Sequence, residues 1–134
     1  MRNIVADTGP LVALFYRRDR DHARVRAFLR DTPCVLATTW LVATETWHLL
    51  PAAARLQWMR WIVNGGVAVF ELAPEDPRAM LALLERHRDR PMDLADASLL
   101  VLADRLGVHE ILTLDRADFD TYRLPGGTPF VQVL

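Results

Sequence analysis

The chain has no lysine: all 16 of its basic residues are arginine. That excludes a phosphate-binding loop built on lysine, a Schiff-base lysine and a lysine general base. It has one cysteine, Cys34, which excludes an internal disulfide framework and a cysteine-rich zinc site. The four histidines, His22, His48, His87 and His109, are scattered and form no metal-spacing motif. No apolar run approaches the ~18 residues that would suggest a membrane span. The stretch Met1–Asp7 meets an aspartate too early for a secretory signal. A cytoplasmic protein without a membrane partner is expected. Charge of one sign is also missing: the formal net charge is -1, so there is no global nucleic-acid signature.

What is present is a globular chain, 51% hydrophobic over 134 residues, long enough for one domain spanning 1–134. Short apolar runs at 3–6, 33–37, 67–72, 110–114 and 129–133 are expected strands. Between them, 11–16, 21–29, 39–50, 51–63, 74–87 and 93–106 are expected helices, with threonines available to cap 39–50, Asn64-Gly65-Gly66 as a stop and Gly107 as another. Strands alternating with helices predict an α/β fold with a central, mainly parallel sheet. No repeat, linker or low-complexity segment interrupts it.

The carboxylates carry the chemistry. Asp7 and Asp115 each follow an expected strand, and ligands of open parallel sheets gather outside the carboxyl ends of strands. Each alone is also an ordinary turn aspartate. Glu45 falls on the expected inward face of its helix, with Leu41, Val42 and Leu49, where a carboxylate needs a cationic partner or a metal. The segment "RPMDLADASLL" puts Asp93 and Asp96 on one face of a first helical turn. Asp93 fits an N-cap as well as a ligand, whereas Asp96 shares its face with Leu100 and Ala103 and points to the interior edge. Converging carboxylates repel unless a cation neutralises them. An all-oxygen set suits a hard divalent ion, Mg²⁺ or Mn²⁺, which can activate water and stabilise phosphoryl charge.

With "VADTGPLVALF", Glu45, "DLADASLLVLADRLG" and "LTLDRADF" in this order, the chain resembles the PIN-domain family, and within it the VapC-type toxins of bacterial toxin–antitoxin pairs. The resemblance covers nearly the whole chain. It implies a single three-layer α/β/α domain and a metal-dependent endoribonuclease that cuts RNA by attack of activated water on the phosphodiester. It implies a cognate antitoxin of the VapB type and a homodimer. Carried over, Asp7, Glu45, Asp96 and Asp115 form the catalytic set. Asp7 and Asp96 are the first metal ligands, joined by Asp93, Glu45 and Asp115, and Thr8, Thr113 and Asp118 support them.

Two alternatives remain open: a catalytically silent PIN-like module that binds RNA or protein, and a solitary RNA-processing nuclease without an antitoxin. Other acid-based α/β families fit less well. A dehalogenase-type phosphatase needs a second aspartate where Gly9 stands, and a receiver domain needs a late lysine. Arg17, Arg18, Arg20 and Arg24 form a local basic cluster, readable as a solvated helix face or as a patch for RNA phosphates. Phe15 and Tyr16 beside it could stack an unpaired base. Trp40/Trp47 and Trp58/Trp61, at helical spacing, suit either the core or a partner surface.

Overall fold

β1 (Arg2–Ala6) forms the centre of the fold because Ile4, Val5 and Ala6 leave no polar side chain to face water; all three are fully buried. The structure, a computed structural model, describes residues 1–134. After β1 come α1 (Thr8–Phe15), α2 (His22–Asp31), β2 (Cys34–Thr39), α3 (Trp40–Leu49), α4 (Ala52–Val63) and β3 (Ala68–Phe70). The second half contributes α5 (Asp76–Arg86), α6 (Leu94–Leu106), β4 (Glu110–Leu112), α7 (Arg116–Thr121) and β5 (Val131–Gln132).

The sheet order is β3-β2-β1-β4-β5 and every pairing is parallel, with Ile4 beside Leu36, Val5 beside Ala37 and Ile111, and Ala6 beside Leu112. Helices cover both faces, giving the expected α/β/α arrangement. The chain builds outward from β1 through β2 to β3, then returns to add β4 on the other side. The order therefore reverses between β1 and β4, and a crevice opens at their carboxyl ends. α6 supplies much of the core, with every residue from Ala97 to Ala103 buried. It ends at Gly107, whose φ of 68° is the left-handed conformation that glycine adopts without strain.

Several elements differ from the sequence expectation. α1 begins at Thr8, because a proline at position 10 is accommodated in a first helical turn where no N–H is needed. β4 stops at Leu112, so Thr113 and Leu114 separate it from Asp115. The six-residue α7 was not expected; it is too short for an apolar period and is started by the Asp115 side chain, which accepts from the Asp118 N–H at 3.2 Å. In α3 the inward face is Val42, Ala43 and Thr46, with Leu50 buried just past the helix end, whereas Leu49 is exposed. Glu45 thus stands half-buried at the margin of that face.

The aromatic residues divide between core and surface. Trp58 is fully buried, and Phe15 packs edge-on against Trp58 and Trp61 at centroid distances of 5.7 and 5.3 Å. Phe15 is thus half-buried against this tryptophan pair. Trp40 is exposed, while Trp47 lies under the Arg55 guanidinium.

Candidate active site

The crevice at the switch point is a cavity of about 790 Å³. Of its 15 lining residues seven are acids: Asp7, Asp19, Glu45, Asp93, Asp96, Asp115 and Asp118. No arginine or histidine lines it. The sequence-derived acids are therefore brought together, and Asp19 joins them unforeseen. It lies in the arginine-rich stretch after α1, where an acid among bases looked like ordinary surface charge.

The acids come from separate parts of the chain: Asp7 follows β1, Asp19 lies between α1 and α2, Glu45 is on α3, Asp93 and Asp96 start α6, and Asp115 and Asp118 start α7. Asp7 follows β1 directly, and its N–H donates to the Leu112 carbonyl of β4 at 3.0 Å, which fixes it across the strand pair. It precedes α1 but its side chain makes no capping bond, so the carboxyl remains directed to the cavity. Thr113 Oγ1 donates to Asp7 Oδ2 at 2.9 Å and accepts from the Asp115 N–H at 3.0 Å. One hydroxyl thus positions both strand-end acids. Asp93 is the N-cap of α6, its Oδ1 accepting from Ala95 N–H at 3.3 Å, and it also lines the cavity. The cap and cavity roles coexist in one residue.

α3 and α6 are held together by a buried hydroxyl relay. Ser98 Oγ donates to the Ala95 carbonyl at 2.7 Å, leaving its lone pairs to accept from Thr39 Oγ1 at 2.8 Å. Thr39 also caps α3 by accepting from Val42 N–H at 3.2 Å. This relay sets Glu45 of α3 against Asp96 of α6. Ser98 was hidden in the sequence inside an apolar run, where a small hydroxyl gives no signal.

The electrostatics are those of crowded carboxyls. Burial pushes Asp96 up to about 8, and Asp7, Asp93, Glu45 and Asp115 all push in the same direction. Burial likewise raises Asp7 to about 6, against the opposing bonds from the Thr8 N–H and the Thr113 hydroxyl. Glu45 and Asp115 are raised too, first by lost hydration, and then by Asp93 for Glu45 and by Asp118 for Asp115. Tyr122 at the wall is pushed up to about 12 by burial and by the neighbouring aspartates.

No three of these carboxyls are already drawn together as a coordination shell. Their chemistry nonetheless fits a hard divalent cation. The acid donors are all oxygen, only Asp118 among them has a basic partner, and buried Thr8 Oγ1 lies at the wall beside Glu45 without a well-aligned hydrogen-bond partner. The basic cluster lies elsewhere. Arg20 and Arg24 pair with Asp21 at 3.5 and 3.9 Å, and Arg17 and Arg18 are exposed. Only Tyr16 and Asp19 of that segment reach the cavity.

Comparisons with known proteins agree with this architecture. The chain is 28% identical to Ribonuclease VapC26 of Mycobacterium tuberculosis, over 97% of this chain and 99% of that protein. Its fold is similar to that of VapC20 of the same organism, described as a sarcin–ricin loop cleaving toxin. The TM-score is 0.78 at 23% identity, covering 85% of this chain and 91% of the other. It is also similar to a chain of a toxin–antitoxin complex from Klebsiella pneumoniae, with a TM-score of 0.67 at 19% identity over 98% and 96% of the two chains. FitAcB from Neisseria gonorrhoeae gives 0.59 at 15% identity, over 96% of each chain. The PIN domain model matches residues 4–124, with the switch-point acids Asp7, Glu45, Asp93, Asp96, Asp115 and Asp118 inside the matched span. This chain belongs to the PIN domain family.

Proposed function

We propose that this protein is a metal-dependent endoribonuclease and the toxin of a toxin–antitoxin pair. The observation that carries the proposal is the acid cavity at the β1/β4 switch point, where Asp96 is raised to about 8 by burial and four neighbouring carboxyls. The name of the ribonuclease relative and the toxin–antitoxin structures of similar fold support it. Asp7 and Asp96 would hold the cation, with Asp93, Glu45 and Asp115 completing its oxygen set and Thr8 and Asp118 alongside. Mg²⁺ or Mn²⁺ would neutralise the acids, activate water and stabilise charge on the phosphoryl group. Thr113 orients Asp7 and Asp115, and Asp93 keeps the start of α6 in place.

RNA is the proposed substrate. Arg17, Arg18, Arg20 and Arg24 offer cations for its backbone on the segment that also carries Asp19. An antitoxin and a second copy of the chain are the proposed protein partners. No helix is long and apolar enough to cross a membrane, in keeping with a proposed cytoplasmic site of action.

The deciding experiment incubates total transfer and ribosomal RNA with wild type and Asp96→Asn, in Mn²⁺, in Mg²⁺ and with chelator. Discrete cuts leaving 5′-phosphate and 3′-hydroxyl ends, dependent on metal and lost in Asp96→Asn, are expected. Cleavage indifferent to Asp96, or a 2′,3′-cyclic end, would overturn the scheme.

A further inference from the structure

One basic side chain stands at the rim of the acid cavity. Arg90 lies in the turn between α5 and α6, next to Pro91 of the wall, and its Nη2 is 3.0 Å from Oδ1 of the wall residue Asp118. The chain has six ion pairs, and this alone uses an acid of the cavity.

The contact is built to be exchanged. The side chains remain 55% and 28% exposed, a setting in which an ion pair is weak and solvent competes for both partners. The rest of the guanidinium fork is poorly used, since Nη1 reaches only Thr121 Oγ1, at 3.5 Å. A guanidinium presents five N–H donors in a plane that matches a phosphate. Its charge already acts across the wall, lowering Asp115 and Tyr122 against the carboxyls that raise them.

A cavity with seven acids must also admit a polyanion. A cation at the acids offsets their charge where the chain is cut, but the phosphates on either side meet the rim. The only arginine paired to the wall there is Arg90. Resting on the ribonuclease proposal, we infer that Arg90 is the phosphate clamp of the cavity, parked on Asp118 in the free protein and transferred to an RNA phosphate beside the scissile one when substrate enters. The exchange swaps one anion for another and makes or breaks no covalent bond. Asp118 is then a competitor of RNA for the guanidinium. Removing Arg90 and removing the Asp118 charge must therefore act in opposite directions on RNA binding, whereas a merely structural pair would fail in the same direction from either side.

The test has two arms. Steady-state cleavage of total transfer RNA in Mn²⁺ is measured for wild type, Arg90→Ala and Arg90→Lys. Binding of fluorescein-labelled transfer RNA is measured by anisotropy at several salt concentrations in the Asp96→Asn background, alone and with Arg90→Ala or Asp118→Asn added. Arg90→Ala should raise KM about tenfold with kcat changed less than about threefold, the size of one charge-assisted phosphate contact. It should also flatten the salt slope by about one. Arg90→Lys should recover part of the KM, and Asp118→Asn should tighten binding. Unchanged KM and slope in Arg90→Ala, or weaker binding in Asp118→Asn, would overturn the clamp. Absence of metal-dependent cleavage in wild type would instead overturn the ribonuclease proposal, and the binding arm would still decide the clamp.

Discussion

The Thr113 hydroxyl donates to Asp7 Oδ2 at 2.9 Å while accepting from the Asp115 backbone N–H at 3.0 Å. A side chain two residues before Asp115 thereby ties the acid after β1 to the acid after β4. Both Thr113 and Asp7 are buried, so water cannot replace the bond. Replacing Thr113 with valine keeps the shape and removes the donor and the acceptor. Asp7 should then be harder to ionise, and Mn²⁺ affinity at neutral pH should fall by roughly 10–100-fold, the usual loss when a residue supporting a metal ligand is removed. Thr113→Ser should retain most of it. Calorimetric Mn²⁺ titration of the two variants decides, and equal affinity for wild type and Thr113→Val would remove Thr113 from the site.

The raised acids set a pH dependence with a definite sign. Asp96 sits at about 8 and Asp7 at about 6 in the folded protein, against 3.8 for a free aspartate. Between those values the metal-free fold holds protons that the unfolded chain has released. The contribution of these two acids to its stability is therefore fully present below about pH 4 and is lost as pH rises through 6 and 8. A divalent cation competes with the same protons, so the Tm gain from Mn²⁺ should be small at pH 5.5 and large at pH 8. Thermal melts across that range, with and without Mn²⁺, test both statements. A metal-free protein that gains stability from pH 5 to pH 8 would contradict the crowding of these carboxyls.

Ser98 tests whether the two acid-bearing helices must be locked. Ser98→Ala removes the donor to the Ala95 carbonyl and the acceptor for Thr39. The loss of two buried bonds, partly offset by alanine's better helix propensity, should cost about 1–2 kcal/mol in urea unfolding at unchanged m. Because α3 carries Glu45 and α6 carries Asp96, cleavage should fall further than stability alone explains at temperatures where the variant stays folded. Full activity in a destabilised Ser98→Ala would make the relay purely structural.

Legibility in the sequence followed the physics of each feature. Asp7 and Asp96 were visible because a lone carboxylate beside apolar residues needs a reason to be there, and the parallel strands around them fixed where they would meet. Asp19 was masked by the arginines around it, and Ser98 by its size. The wrong inward position of Leu49 came from assigning Glu45 to the buried face, when the real buried face is offset to Val42, Ala43 and Thr46. That offset places Glu45 at the margin, where it can reach the cavity without full desolvation. α7 escaped because a helix of six residues depends on its cap more than on periodicity.

Asp93 permits cap and ligand to be separated by chemistry. Its Oδ1 accepts from the Ala95 N–H at 3.3 Å, and its charge raises both Glu45 and Asp96. Asparagine caps helices about as well as aspartate but carries no charge, whereas alanine does neither. Asp93→Asn should therefore leave unfolding within about 0.5 kcal/mol of wild type, while Asp93→Ala should lose about 1 kcal/mol. Removing the charge also relieves the crowding, so the Asp96 carboxyl should ionise at lower pH in both variants, which NMR titration of the side-chain carboxyl would register. If Asp93 holds the cation as well, both variants should bind Mn²⁺ more weakly even though Asp96 is easier to ionise. Mn²⁺ affinity that stays the same or improves in Asp93→Asn would confine Asp93 to its cap and leave the cation to Asp7, Asp96 and their remaining neighbours.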